Sequence, residues 1–408
     1  MAIKWNNVRI NGDRLWQRLM TMAQIGGTAK GGVCRVTLTD EDKAGRDLFV
    51  NWCEAAGLTI TVDEMGNIFG RRAGQNNDLP PILAGSHLDS QPTGGKFDGV
   101  YGVLAALEVV ETLNDHNIVT EAPLEIVSWT NEEGARFTPA MVSSGVWAGV
   151  FSLEYAYGRE DKNGRLLGEE LQRIGYKGDL PARHRPLTAA FEIHIEQGPI
   201  LEYEGRQIGI VTGVQGARWY HLTIPGKAAH AGSTPMDVRR DPVKTAVSLL
   251  GRAYAIAEQY EPDIRLTFGD LRPSPGVVNT IPGELLVTVD LRHPSDGVLD
   301  EVEGLLTQLA EEHGAKLVNI WTSEAVVFAE KCVAAVETAV SITGYSARRI
   351  TSGAGHDSVY LARVAPTSMI FIPCADGLSH NELESATKED VVAGGNVLLQ
   401  AVLSVAQP

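Results

Sequence analysis

Pro81-Ile82-Leu83-Ala84-Gly85-Ser86-His87-Leu88-Asp89, followed shortly by Gly94-Gly95-Lys96-Phe97-Asp98-Gly99, is the stretch that decides the fold. Its first residues, Pro81 to Ala84, are a short apolar run that reads as a buried strand, and Gly85-Ser86-His87 ends it in polar residues. Beyond Gly99, Val103, Leu104, Leu107, Val110 and Leu113 recur at helical spacing and predict a long helix. The next apolar run, Leu124 to Trp129, is another buried strand and ends at Asn131-Glu132-Glu133. Strand, helix and strand in this order predict an α/β domain with a largely parallel sheet. Such sheets place their chemistry at the carboxyl ends of strands. His87 and the Glu132-Glu133 pair both fall there.

Working outward, helices are predicted over Asp13 to Ala23 and from Thr39-Asp40 to the stop at Gly57. Strands follow at Leu58 to Val62 and Asn67 to Arg71. Near Gly213 the pattern changes. Strand (Arg218 to Ile224), helix (Asp241 to Gln259), strand (Ile264 to Leu271), strand (Glu284 to Arg292), helix (Gly297 to His313) and strand (Lys316 to Ser323) give the βαββαβ order of a ferredoxin-like unit. A helix over Ala329 to Thr343, a buried strand over Ser368 to Pro373 and a helix over Lys388 to Val405 resume the first pattern. The expected architecture is a mixed, largely parallel sheet with helices on both faces, split by an inserted domain. Its segments are 1–212, 213–328 and 329–408. No internal repeat is visible.

With 408 residues the chain exceeds one ordinary core, which agrees with two domains. A formal charge of −16 repels polyanions and argues against a nucleic-acid partner. No stretch reaches the ~20 apolar residues a membrane span needs. The N-terminal stretch MAIKWNNVRINGDRLWQRL lacks the apolar core of a secretory signal. Cys34, Cys53, Cys332 and Cys374 are scattered, with no CxxC pair, as expected for buried thiols in a reducing cytoplasm.

Three local patterns offer chemistry. His87 and Asp98 flank glycines that let the main chain fold tightly, and imidazole with carboxylate suits a divalent ion. Asp89, two residues after His87, is placed to take the free ring N–H. Glu132 and Glu133 end one strand and point in different directions, so one can bind metal while the other acts as general base. His194, in an apolar run, and His380, after a buried strand and a glycine turn, complete the inventory for two metals joined by a carboxylate. Taken singly, each pattern reads more readily as ordinary loop polarity, paired surface carboxylates or a core histidine.

The segments HLDSQPTGGKFDG, NEEGARF, HIEQGP, AHAGSTPM, VNTIPGE, DLRHPSD, GAGHDS and DGLSHNE together resemble the M20 metallopeptidase-related amidases. Within these they are most similar to the hydantoinase/carbamoylase group: N-carbamoyl-L-amino-acid hydrolases, β-ureidopropionases and allantoate amidohydrolases. The resemblance implies that Asp98 bridges two ions, with His87 and His194 completing one site and Glu133 and His380 the other. It implies Glu132 as general base and His230 as the donor to the developing oxyanion. Arg292 and Asn279 are implied to hold a substrate carboxylate, and Gln197 and His356 to contact the carbamoyl or carboxylate end. A homodimer formed through the inserted domain is implied as well, with N-carbamoyl-L-amino acids as substrates. A His/Asp/Glu set accepts zinc, the expected metal, and equally manganese, cobalt or nickel. An M20 aminopeptidase or dipeptidase and a binder without catalysis are the competing readings. His116, His184 and His313 are expected at the surface, His221 in the first strand of the inserted domain, and His293 as a structural residue.

Overall fold

The computed structural model describes residues 5–406, so the first four and last two residues of the expected outer segments lie outside it. The chain divides into two compact units, one built from the chain up to Gly213 and from Val327 onward, the other from Val214–Val326.

The first unit is organised on one sheet. Ile82–His87 lies between Leu124–Trp129 and Ala189–Ile195 and runs parallel to both, while Thr367–Ile372 runs parallel to Ala189–Ile195. Pairing turns antiparallel on either side, through Ile68–Arg72 and through Ile208–Val214. The sheet is therefore mixed, with a parallel centre. These central strands are buried along their whole length, as expected when both faces are covered. Leu83, Val127, Trp129 and Ala190 pack with Trp147 and Leu361 on one face. Helices Val100–Asp115 and Lys388–Val405 pack on the sheet through the strands Ile82–His87 and Thr367–Ile372. Gly102 permits that approach, because a Cβ there would lie 2.6 Å from the Ile193 carbonyl oxygen. The parallel strands bring His87, Trp129 and His194 to one end of the sheet, with His87 opposite Trp129 and His194 opposite Phe371.

In the second unit four antiparallel strands take the order Lys316–Ser323, Gly216–Pro225, Glu284–His293, Arg265–Ser274. Leu222, Leu285, Val287 and Val289 face helices Pro242–Ala257 and Asp296–Glu312, which contribute Leu249, Val302 and Leu306 to the same core. A separate ribbon pairs Ala229–His230 with Thr280–Ile281.

Some elements go beyond the sequence pattern. Helices Val142–Trp147, Leu153–Tyr157 and Leu167–Ile174 span 6, 5 and 8 residues, too few for a helical period to stand out. Ile208–Val214 is almost wholly buried and shows no alternation, and Ala347–Ser352 is polar and paired outside the main path.

A buried ion pair ties the first unit together beneath the strand ends. On helix Asp40–Ala55, Arg46 donates to Asp42 (2.8 Å), to the Gly66 carbonyl (2.8 Å) and to Thr130 Oγ1 (3.1 Å). Both charges are inaccessible to solvent. Arg46→Ala leaves Asp42 buried without its cation and should cost about 3–5 kcal/mol. A fall of that size in the first unit's unfolding free energy, read as a lower urea midpoint at unchanged slope, is the expected outcome, and an unchanged midpoint would contradict it.

Candidate metal centre

Nine of the residues singled out in the sequence gather in the first unit: His87, Asp89, Asp98, Glu132, Glu133, His194, Gln197, His356 and His380. Two groups have ligand atoms within 4.8 Å of one another, His87 with Asp98 and His194, and Asp98 with Glu133 and His380. Asp98 belongs to both and is buried. Its Oδ1 lies 3.1 Å from His194 Nε2 and 3.5 Å from His87 Nε2. Its Oδ2 lies 3.6 Å from His380 Nε2, which is in turn 3.2 Å from Glu133 Oε2.

The main chain fixes which ring nitrogens face inward. His87 Nδ1 is 2.9 Å from the Asp89 carbonyl and His194 Nδ1 is 2.9 Å from the Ile195 carbonyl. A carbonyl only accepts, so both rings carry a proton on Nδ1 and leave Nε2 as the nitrogen that faces Asp98, the His194 Nε2 lying also 3.0 Å from the Gly99 main-chain nitrogen. Imidazoles that turn Nε2 toward a shared carboxylate would, with Nε2 deprotonated, give the donor set a divalent ion requires. Gly99 makes room for it. Its φ is +66°, and a Cβ there would fall 2.3 Å from the His87 ring.

Asp89 differs from expectation. Its main-chain carbonyl, not its carboxylate, takes the His87 ring N–H, and the carboxylate sits 3.8 Å away. The carboxylate instead accepts the main-chain N–H groups of Glu132 (3.3 Å) and Glu133 (3.4 Å). It thereby orients the paired glutamates, whose side chains diverge. Glu133 is gripped by the Gln91 amide (2.7 Å) and main-chain N–H (3.1 Å) beside His380, whereas Glu132 Oε2 lies 3.4 Å from His87 Nε2.

Charge and burial oppose each other here. Burial raises the Glu132 carboxyl well above its ordinary range against the pull of His87, with Asp357, Glu133 and Asp98 adding to the rise. Burial would likewise raise Asp98, but His194 and His87 outweigh it and hold Asp98 well below the usual range. For His87 burial favours the neutral ring, and Glu132, Asp98 and Asp89 overcome it, raising its pKa. Carboxylates packed this closely call for cations, which fits the donor geometry.

Gln197 and His356 touch residues of the candidate ligand groups. Gln197, at φ +57°, donates to Asp98 Oδ2 (2.9 Å) and Ser379 Oγ (2.8 Å), and its buried Oε1 has no hydrogen-bond partner. His356 is 2% exposed, which leaves its contacts to protein groups: the His194 ring at 4.7 Å and Ser352 Oγ at 3.1 Å. His380 also has a left-handed φ, of +54°, and such backbone strain collects at functional turns.

The other three residues lie in the second unit. His230 and Asn279 are neighbours across the short ribbon, where the Ala231 N–H donates to the Asn279 carbonyl at 2.9 Å. His230 Nδ1 accepts from the N–H groups of Gly232 (3.1 Å) and Ser233 (3.2 Å), which puts its proton on Nε2. Arg292 projects from the sheet face opposite the core and pairs with Asp290 through Nε (2.9 Å) and Nη2 (2.8 Å).

Sequence inspection passed over Glu384. Its Oε1 accepts the main-chain N–H groups of Phe97 (2.9 Å) and Asp98 (3.1 Å), so the segment that supplies His380 also clamps the loop of Asp98. Burial, then Asp98, push its carboxyl up to about 7. Its place four residues after His380 in HNELE was the available signal.

Residues 83–404 match the peptidase family M20/M25/M40. An N-carbamoyl-L-amino-acid amidohydrolase of Rhizobium meliloti is 47% identical over 100% of this chain and 99% of its own length. A second protein so described, from Geobacillus stearothermophilus, is 40% identical over 98% of this chain and 99% of its own. The crystal structure of an amidase of the hydantoinase/carbamoylase family from Burkholderia multivorans superimposes with a TM-score of 0.95 at 55% identity, covering 98% of this chain and 99% of that one. With these candidate ligands in a matching fold, the chain belongs to the M20/M25/M40 family, among its hydantoinase/carbamoylase amidases.

Proposed function

We propose that the chain is an N-carbamoyl-L-amino-acid amidohydrolase that binds two divalent ions and releases the amino acid, ammonia and CO2. The observation that carries this reading is Asp98, whose two oxygens face different ligand groups with Glu132 alongside. His87, Asp98 and His194 would hold one ion, and Asp98, Glu133 and His380 the other. Zinc is the expected metal, with manganese, cobalt and nickel as alternatives for the same donors. When bound, such ions polarise the carbonyl and lower the pKa of water from about 15.7 toward 7.

The chain's own groups then have distinct tasks. Glu132 takes a proton from the attacking water and returns it to the leaving nitrogen. His230, with its proton on Nε2, donates to the carbonyl oxygen as that oxygen becomes negative. Arg292, with Asn279, receives the substrate carboxylate, for which a guanidinium is geometrically suited. Gln197 Oε1 accepts from the carbamoyl NH2, and His356 backs the His194 ring. Four free thiols are in keeping with a reducing cytoplasm. The proposed homodimer forms through the inserted unit, whose helix Pro242–Ala257 exposes Val243, Val247 and Tyr254 on one face beside the edge strand Arg265–Ser274.

Ammonia release from N-carbamoyl-L-α-amino acids, N-carbamoyl-β-alanine and allantoate tests the substrate. Preference for the first confirms the proposal, and preference for allantoate or N-carbamoyl-β-alanine replaces it with the corresponding amidohydrolase. Glu132→Gln should keep both ions by elemental analysis while kcat drops roughly 10²–10⁴-fold; near-normal kcat would remove Glu132 from the base role. Arg292→Lys should lower kcat/KM by roughly 10–100-fold, mainly through KM, as expected for about 1.5–3 kcal/mol of charged hydrogen bonding. Val247→Glu should convert a dimer to a monomer in light scattering, and an unaltered mass would place the interface elsewhere.

A further inference from the structure

We propose that Asp357 is held as a neutral carboxylic acid and, through Ser144, acts as a positioning residue for the loop that carries Glu132. The inference begins with proton counting. Ser144 Oγ contacts Asp357 Oδ1 and also lies 3.1 Å from the Met141 carbonyl oxygen. A hydroxyl has one proton, and both neighbours would be pure acceptors if Asp357 were ionised. A carboxylic acid resolves this: its O–H donates to Ser144 Oγ, and Ser144 donates to Met141.

The other oxygen gives the same answer. Asp357 is fully buried, and its Oδ2 has no hydrogen-bond partner. A bare carboxylate oxygen in that position costs far more than an uncharged carbonyl. Glu192, on the strand Ala189–Ile195, already takes the anionic place nearby. It accepts from Ser86 Oγ (2.7 Å), Ser358 Oγ (2.6 Å) and the Ser358 N–H (3.2 Å). Burial, then Glu192, push the Asp357 carboxyl well above the usual range; Asp89 adds to this and His87 opposes it, while the Ser144 contact opposes it only with the serine as donor. Other titratable groups nearby are Glu132 and Tyr360, which interact with it electrostatically, and His356, its neighbour in the chain.

What Ser144 holds is the start of helix Val142–Trp147. That helix grips the Glu132 loop on both sides of Asn131. The Met141 N–H donates to the Glu132 carbonyl at 2.7 Å, and Ser143 Oγ accepts the Thr130 N–H at 3.0 Å. Asn131 and Met141 are both left-handed, at φ +60° and +55°, so the turn depends on being held from outside. Asp357 supplies that hold from the segment after Ala347–Ser352. The proposal rests on Glu132 being the base, and part of its test is independent of that role.

The test compares D357N, D357A and S144A. Difference infrared spectra of wild type against D357N, on metal-free and metal-loaded protein, should show a protonated-carboxyl band lost in the variant. This readout does not involve turnover. D357N, the isostere of the neutral acid, should retain kcat and the acid limb of its pH profile. D357A and S144A should lower kcat by roughly 10–100-fold through misplacement of the base, with metal content and KM unchanged. No lost band, or an acid limb shifted in D357N, would show Asp357 to be ionised and overturn the proposal. Wild-type kcat in S144A, the variant least able to disturb folding, would overturn the positioning role. Full activity in E132Q with the band still present would sink the base assignment and leave the neutral acid standing.

Discussion

Burying one carboxylate among three imidazoles is the constraint on which the rest of the first unit depends. Asp98 is shared by His87 and His194 on one oxygen and faces His380 on the other. Glu132, Glu133 and Asp89 stand close by, so the cluster carries more negative charge than its rings can balance. Such a cluster persists only if each side chain is held against its neighbours' repulsion and if cations complete it. The holding is done largely by main-chain groups. Carbonyls of Asp89 and Ile195 fix the rings, and N–H groups at positions 91, 97, 98, 132 and 133 fix the carboxylates.

Those main-chain groups need a rigid support, and the sheet provides it. Parallel strands end together, which delivers His87, His194 and the start of the Glu132 loop to one side without any long connection. Below them, the buried Arg46–Asp42 pair anchors Gly66 and Thr130. Around them, Glu384 clamps the Asp98 loop, and Ser143 and Ser144 clamp the loop of Glu132. The candidate ligands and the groups that hold them thus interleave along the chain: Asp89 follows His87, Ile195 follows His194 and Glu384 follows His380, while Arg46 and Ser143 reach in from elsewhere. Changing one supporting residue is expected to alter catalysis without removing a ligand.

The second unit follows a different logic. Its sheet is antiparallel, covered by helices on one face only, so side chains alternate between a core and an open face. Arg292 and Asp290 occupy the open face, which is where a guanidinium can meet a small anion. His230 has its tautomer set by two N–H groups of its own loop. Neither feature requires a metal, and both are properties of local main-chain geometry.

The sequence by itself determined the alternation of elements and the residue types at strand ends. Continuous apolar runs such as Leu124–Trp129 and spaced ones such as Val103 to Leu113 carry their structure in their period. It also supplied His87, Asp98, Glu132, Glu133, His194 and His380 as candidates, because glycine turns and polar residues directly after buried strands are visible locally. Short helices such as Val142–Trp147 and the polar strand Ala347–Ser352 were not legible, since their stability comes from packing and pairing partners distant in the chain. Only the tertiary structure decided how the site residues divide their work. Asp89 turned from a ring partner into the orienting group of the glutamates, Gln197 and His356 proved to touch Asp98 and His194, and Glu384 and Asp357 entered from segments far along the chain. The physical reason is that hydrogen bonds act over about 3 Å while these residues are separated by tens to hundreds of positions, so which proton meets which acceptor is settled by the fold.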